Sequence, residues 1–152
     1  MDKEDYIIKL EQHDTKDIVD NHTNGSLTVI WRDYDEFLEH HPKMVYVSSV
    51  KSGEIKGPHI HTKRNSYFSC IQGSVIFIIK NTDGTYTEVE SNSENGVMVF
   101  VPKNFPSAHI NISDGISRVL ALADISWKSN DNEMKNTNFD DYDWKKWEIK
   151  NN

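Results

Sequence analysis

From Met44 onward the chain is a succession of short runs of β-branched and aromatic residues, each closed by a turn dipeptide, and few folds accommodate that rhythm. The run 44–50 (MVYVSSV) ends at Ser52-Gly53, 55–62 follows, Tyr67 to Ile71 ends at Gln72-Gly73, and 74–80 (SVIFIIK) ends at Asp83-Gly84. Runs at 86–90, 96–102, 107–112 and 118–125 complete the series. Residues that suit a pleated, half-buried surface, punctuated by Gly and Asp at this spacing, predict an all-β sandwich or barrel. SVIFIIK is nearly continuous in apolar character where a half-exposed strand would alternate, so it predicts a strand covered on both faces.

Before Met44 the pattern is weaker. Tyr6 to Leu10 reads as a short strand, Asn24-Gly25 as a turn and Ser26 to Trp31 as a second strand. Asp33 to His41 reads as one or two helical turns, with Asp33 or Asp35 as N-cap and Pro42 as the stop. After Trp127 the sequence turns polar and acidic yet carries Phe139, Tyr142, Trp144 and Trp147. A disordered tail rarely holds so many aromatics, so this segment is expected to wrap over the barrel. With no linker or repeat in view, residues 1–152 read as one domain.

Charge and cysteine usage exclude several classes. Against 17 basic residues stand 24 acidic ones, a net charge of -7, which argues against a nucleic-acid binder needing a basic face for phosphates. No apolar run approaches the roughly 18 residues of a membrane-spanning helix, and the N-terminus lacks the basic and apolar regions of a secretory signal. The single cysteine, Cys70, has no intramolecular partner and no zinc-type spacing, which suits a reducing, cytoplasmic setting.

The chemistry concentrates in residues 56–73, KGPHIHTKRNSYFSCIQG. His59 and His61 lie two apart, so in a strand both imidazoles enter one space. They are either two hydrogen-bonded strand histidines or a site. As a site they suit acid/base chemistry, since a neutral imidazole is a competent base for a carbon acid beside a carbonyl. Lys63 or Arg64 would then stabilise the enolate, and Tyr46, Tyr67 or His61 would supply the acid.

Several motifs together carry a resemblance. The segment KGPHI (56–60), the turn at Gly73, VFVPKNFPSAH (99–109) and DYDW (141–144) resemble the sugar-nucleotide branch of the cupins, in particular the dTDP-4-dehydrorhamnose 3,5-epimerase family. The His59-x-His61 pair resembles that of the cupin 3,4-ketoisomerases acting on dTDP-4-keto-6-deoxyglucose. The resemblance spans most of residues 44–147 and implies a cupin-type jelly-roll barrel and a homodimer with N-terminal strands exchanged or packed across the interface. It implies no cofactor, and epimerisation or isomerisation of a nucleotide-linked 4-keto-deoxy sugar for surface polysaccharide synthesis. His59 would be the base next to the keto group. His61, Lys63 and Tyr67 would assist, and Arg32, Lys56, Arg64, His109, Trp127 and Tyr142 would bind substrate. Two departures stand out: Ser66 occupies the family's lysine position and Trp127 that of its tyrosine acid. Metal-binding cupins place a glutamate three to four residues after the histidine pair, where this chain has Asn65 and Ser66. A metal-dependent cupin oxygenase and a non-catalytic sugar-binding cupin are the rival readings.

Overall fold

The computed structural model describes residues 1–148. A short 3-10 helix, Lys3–Tyr6, leads into twelve strands: β1 (Ile7–Lys9), β2 (Gln12–Lys16), β3 (Thr23–Thr28), β4 (Met44–Val50), β5 (Ile55–His61), β6 (Ser66–Gln72), β7 (Ser74–Lys80), β8 (Tyr86–Asn92), β9 (Val97–Val101), β10 (Ser107–Asn111), β11 (Ser117–Ala123) and β12 (Met134–Asn136). A second 3-10 turn, Trp144–Trp147, follows. Two five-stranded antiparallel sheets form the body, one ordered β1-β9-β6-β11-β4 and the other β12-β5-β10-β7-β8, while β2 and β3 make a separate hairpin. The nonconsecutive orders are those of a jelly roll. No helix among the described residues is long and apolar enough to cross a membrane.

The core between the sheets is built from alternate residues of their facing strands. Val75, Phe77 and Ile79 of β7 meet Cys70, Val97, Val99, Val101 and Val119, all buried, together with Tyr6 and Val89. The intervening residues of β7, Ile76 and Ile78, point the other way and are buried too, with Ala108, Ile110 and Phe139. Tyr142, Trp144 and Trp147 pack over that outer face. The apolar run of β7 is thus explained by two covers, the opposite sheet and the wrapping C-terminal segment, as expected from its sequence. The last two residues of the predicted wrap, with 151–152, lie outside the described residues. The outer face of the first sheet is likewise covered, Tyr67, Met98 and Leu122 lying under Leu38, with Ile30, Trp31 and Phe37 alongside.

The N-terminal third departs from its sequence reading. Residues 3–6 are helical, so the expected strand from Tyr6 shortens to Ile7–Lys9, which pairs with β9. Asn24 and Gly25 lie inside β3, where Gly25 pairs with Thr15. The turn sits earlier because the Asp17 side chain accepts from the backbone N–H of Val19 (2.9 Å) and Asp20 (3.3 Å), and Asn21 adopts φ 62°. This local Asx geometry outcompetes the Asn-Gly signal. Residues 33–41 form turns without a helix. Asp35, one of the two expected caps, instead accepts from the Arg32 backbone N–H and guanidinium, and Phe37 and Leu38 pack onto Tyr67.

One glycine shapes the site. Gly57 has φ +90°, and a Cβ there would lie 2.8 Å from the Ser107 carbonyl oxygen, so β5 crosses β10 too closely for any side chain. The register shifts at this point, bringing His59 opposite Ser107 and Lys56 opposite His109.

Candidate active site

Between the sheets, on the side where β12 edges β5, lies a pocket of about 200 Å³. The period of two along a strand decides who enters it. His59 and His61, on one face of β5, both line it, as does Lys56. On β6 the inward residues are Ser66 and Phe68, and Arg64, two before Ser66, follows the same side and is buried. Ser107 and His109 from β10 and Tyr46 and Ser48 from β4 complete the polar lining.

The same parity removes two predicted catalytic residues. Tyr67 is on the opposite face of β6, buried under residues 30–38, its hydroxyl donating to the Phe37 carbonyl (3.1 Å). Lys63 is exposed in the β5–β6 turn and does not border the pocket. Of the predicted binding residues, Arg32 is outside, ion-paired with Glu11 (2.8 Å) and Asp35 (3.0 Å). Tyr142 lies on the outer face of the second sheet, donating to Glu88 (2.7 Å) and accepting from Trp147 Nε1 (2.7 Å). Trp127 is 66% exposed and borders an adjoining shallow cleft that shares His61, Arg64 and Met134 with the pocket. Lys56 is at the rim, donating to Ser48 Oγ (2.6 Å). The structure therefore brings together His59, His61, Lys56, Arg64 and His109, leaves Trp127 beside them, and separates Lys63, Tyr67, Arg32 and Tyr142.

Sequence reasoning missed Glu133 and Asn136. Strand β12 pairs with β5 in the register Met134 to His61 and Asn136 to His59. Thr62 ties Glu133 in place through its N–H (2.9 Å) and hydroxyl (3.0 Å), both donating to the Glu133 carbonyl. The Glu133 carboxylate, 3% exposed, then bonds His61 Nδ1 through both oxygens (2.8 and 2.9 Å), while Asn136 Oδ1 bonds His59 Nδ1 (3.1 Å). Arg64 Nε stands 3.8 Å from Glu133. The only sequence signal for Glu133 was an acidic residue beside a methionine in a polar tail, which carries no periodicity.

With Nδ1 of each histidine donating to a fixed oxygen, Nε2 is left as the basic nitrogen. Burial lowers the pKa of His61, with Glu133 pulling the other way, and Arg64 and His59 adding to the depression. Burial, reinforced by Lys56 and His59, pushes His109 down to about 4. Burial raises the Tyr46 phenol, opposed by the nearby Arg64 guanidinium. At neutral pH His61 and His109 are thus neutral imidazoles and Tyr46 a protonated phenol, beside the buried Arg64 guanidinium. Among the described residues the donor atoms that converge as a possible cation cluster are those of Asp17, Asp20 and His22 on the exposed hairpin, not those of the pocket histidines.

A jelly roll of two antiparallel sheets with histidines on one inner strand defines a cupin. The chain belongs to the family described as "FdtA: WxcM-like, C-terminal", whose model matches residues 3–144. It is similar in structure to QdtA, a sugar 3,4-ketoisomerase from Thermoanaerobacterium thermosaccharolyticum in complex with TDP (24% identity, TM-score 0.67, 88% of each chain). It is also similar to dTDP-4-dehydrorhamnose 3,5-epimerase from Elizabethkingia anophelis NUHP1 (18% identity, TM-score 0.71, 92% of this chain and 80% of that one). The capsular polysaccharide assembling protein CapF from Staphylococcus aureus matches over 62% of this chain at 18% identity and TM-score 0.59, and the match spans only 28% of CapF. No curated protein matches the chain. At these identities the likeness is one of fold, and the resemblance to sugar-nucleotide cupins read from residues 56–60 and 99–109 is borne out at that level and by the family.

Proposed function

We propose that this protein is an isomerase of a nucleotide-linked 4-keto-deoxy sugar, working by proton transfer at the carbon next to the ketone, without a cofactor and as one cupin domain. The observation that carries the reading is the unequal grip of strand β12 on the two pocket histidines, a buried carboxylate behind His61 and a neutral amide behind His59.

Removing a proton from carbon makes an imidazolium that must persist for the lifetime of the enolate. Glu133 stabilises that charge on His61 and fixes the ring, the role a buried carboxylate plays behind a general base. His61 is therefore favoured over His59 as the carbon base. His59, held by Asn136, suits the transfer of a proton between neighbouring oxygens, its free ring nitrogen taking the proton from one and returning it to the other. Arg64, buried and facing the pocket, supplies the cation for the enolate oxygen that Ser66 in the family's lysine position cannot. Protonated His61 then returns its proton to C4 on the same face, while Tyr46, whose phenol is in the pocket where that of Tyr67 is not, is the acid an opposite-face delivery would use.

Both histidines project from one strand, hence toward one face of a bound sugar, which favours 3,4-ketoisomerisation over epimerisation. Epimerisation needs an acid on the opposite face, and Tyr46, from the other sheet, is the group that would serve. The pocket admits little beyond one sugar ring, so the nucleotide would extend into the cleft bordered by Trp127 and Lys128. The apolar, fully exposed Ile18 and Val19 at the hairpin tip support the expected homodimer, and the unpaired Cys70 supports a cytoplasmic setting.

The test is incubation with dTDP-4-keto-6-deoxyglucose in deuterated water, followed by NMR. Deuterium at C4 of the 3-keto product and at C3 of the returned substrate, lost in His61→Asn and retained in part in His59→Asn, is the expected result. Exchange at C5 as well would indicate double epimerisation, and full exchange in His61→Asn would refute the assignment of the base.

A further inference from the structure

The end of the pocket away from β12 is walled by Phe68, Phe77, Val101, Ala108 and Val119, none of which offers a hydrogen bond from its side chain. Two polar atoms on residues that border this space are nonetheless buried without a partner. Among the described residues, the buried side-chain polar atoms lacking one are Arg64 Nε, Ser66 Oγ and His109 Nε2, and all three residues border this pocket. Ser66 is 2% exposed, and the His109 ring is held against Phe77 (4.9 Å between centroids) and Phe68 (6.3 Å). A buried polar atom left unpaired costs about 1–3 kcal/mol, and such atoms in native proteins meet water or a ligand. Arg64 has Glu133 beside it and the reacting oxygen to serve. Ser66 and His109 have no such task in the proposed reaction.

We propose that Ser66 and His109 form a hydroxyl-recognition subsite that selects a sugar ring bearing a free hydroxyl on the part that reaches the pocket floor; this rests on the sugar-isomerase reading above. The chemistry of the pair decides for a hydroxyl. A serine hydroxyl both donates and accepts, and a neutral imidazole nitrogen does one or the other according to tautomer. A ligand hydroxyl, also donor and acceptor, satisfies both in either arrangement, whereas a carbonyl can only accept and an ammonium only donate. The position of Ser66 adds to this. A long side chain there would fill the floor, and the small serine leaves room for a ligand atom while keeping one polar contact. Discrimination follows from the apolar walls around the pair: a ring lacking the hydroxyl leaves Ser66 and His109 as unpaired as they are without a ligand.

The experiment compares kcat/KM, read from deuterium incorporation beside the ketone, for dTDP-4-keto-6-deoxyglucose and its 2-deoxy and 3-deoxy analogues, in the wild-type protein, Ser66→Ala and His109→Gln. The wild type is expected to prefer the full substrate over one of the analogues by roughly 10- to 100-fold, the cost of one unpaired buried group. Ser66→Ala is expected to shrink that preference at least about fivefold by lowering kcat/KM for the hydroxylated substrate alone, and His109→Gln, which keeps a donor and an acceptor, to retain more of it. A purely structural role would lower all substrates equally, and that result overturns the inference. A wild type that handles all three alike also overturns it, since the pair then faces only water. If the wild type exchanges deuterium into none of them, the sugar-isomerase reading itself falls and the inference with it.

Discussion

His109 makes stability depend on pH in a window where few other groups titrate. Its imidazole is pushed to about 4 by burial, Lys56 and His59, against about 6.5 in an unfolded chain. Between those values the unfolded chain binds a proton that the folded one refuses, so stability falls as pH drops through that range and is fully present above it. For a shift of this size the loss between pH 7.5 and pH 5 is about 2 kcal/mol, approaching about 3 kcal/mol near pH 4. Depression of His61 adds in the same direction, while the lowered carboxylates, Asp35 and Glu88 among them, lose their stabilising contribution only at more acidic pH. The charged and titratable groups acting on His109 are Lys56 and His59 on the neighbouring strand β5, so no carboxylate offsets the burial. Urea titrations at half-unit pH steps would show the slope in the wild type and a flatter curve in His109→Gln. Parallel curves for the two proteins between pH 6.5 and 4.5, or an NMR titration of the His109 ring near 6.5, would refute the reasoning.

The placement of Lys63 and Tyr67 outside the pocket predicts that Lys63→Ala and Tyr67→Phe keep deuterium exchange within about twofold of wild type, as expected for groups that do not touch the transition state; a loss comparable to that of His61→Asn would return them to the site. Asn111, fully buried, donates to the Val50 (2.9 Å) and Gly115 (2.7 Å) carbonyls and accepts from the Ser113 N–H (2.8 Å) and Ser117 hydroxyl (2.7 Å). Asn111→Ala strands all four and should cost about 3 kcal/mol, measurable as a lowered urea midpoint; an unchanged midpoint would show that the loop repairs itself. The Cys70 thiol, pushed up to about 11 by burial, should stay unreactive toward a colorimetric thiol reagent at pH 8 until the protein unfolds, and rapid labelling of the native protein would contradict its burial.

What could be read along the chain was the part governed by local periodicity. Strands from Met44 to Ala123 are legible because every second residue must face a core, and SVIFIIK betrayed two covers because both of its faces are apolar. His59 and His61 were legible for the same reason: spacing alone puts them on one face. Parity could in principle have removed Tyr67 as well, had the direction of β6 been known, but which face of a strand is inward is set by its neighbours in the sheet. The N-terminal hairpin was misread because an Asx turn at Asp17 and an Asn-Gly pair a few residues later are both valid turn chemistry, and only the register of β2 with β3 chooses between them. Glu133 and Asn136 were beyond reach for a deeper reason. They lie more than 70 residues from the histidines they hold, in a three-residue strand too short to show alternation, and their meaning comes entirely from pairing with β5. Sequence by itself determined the barrel and the histidine pair; tertiary structure decided which partners orient them, because a hydrogen bond between distant segments leaves no mark on either segment alone.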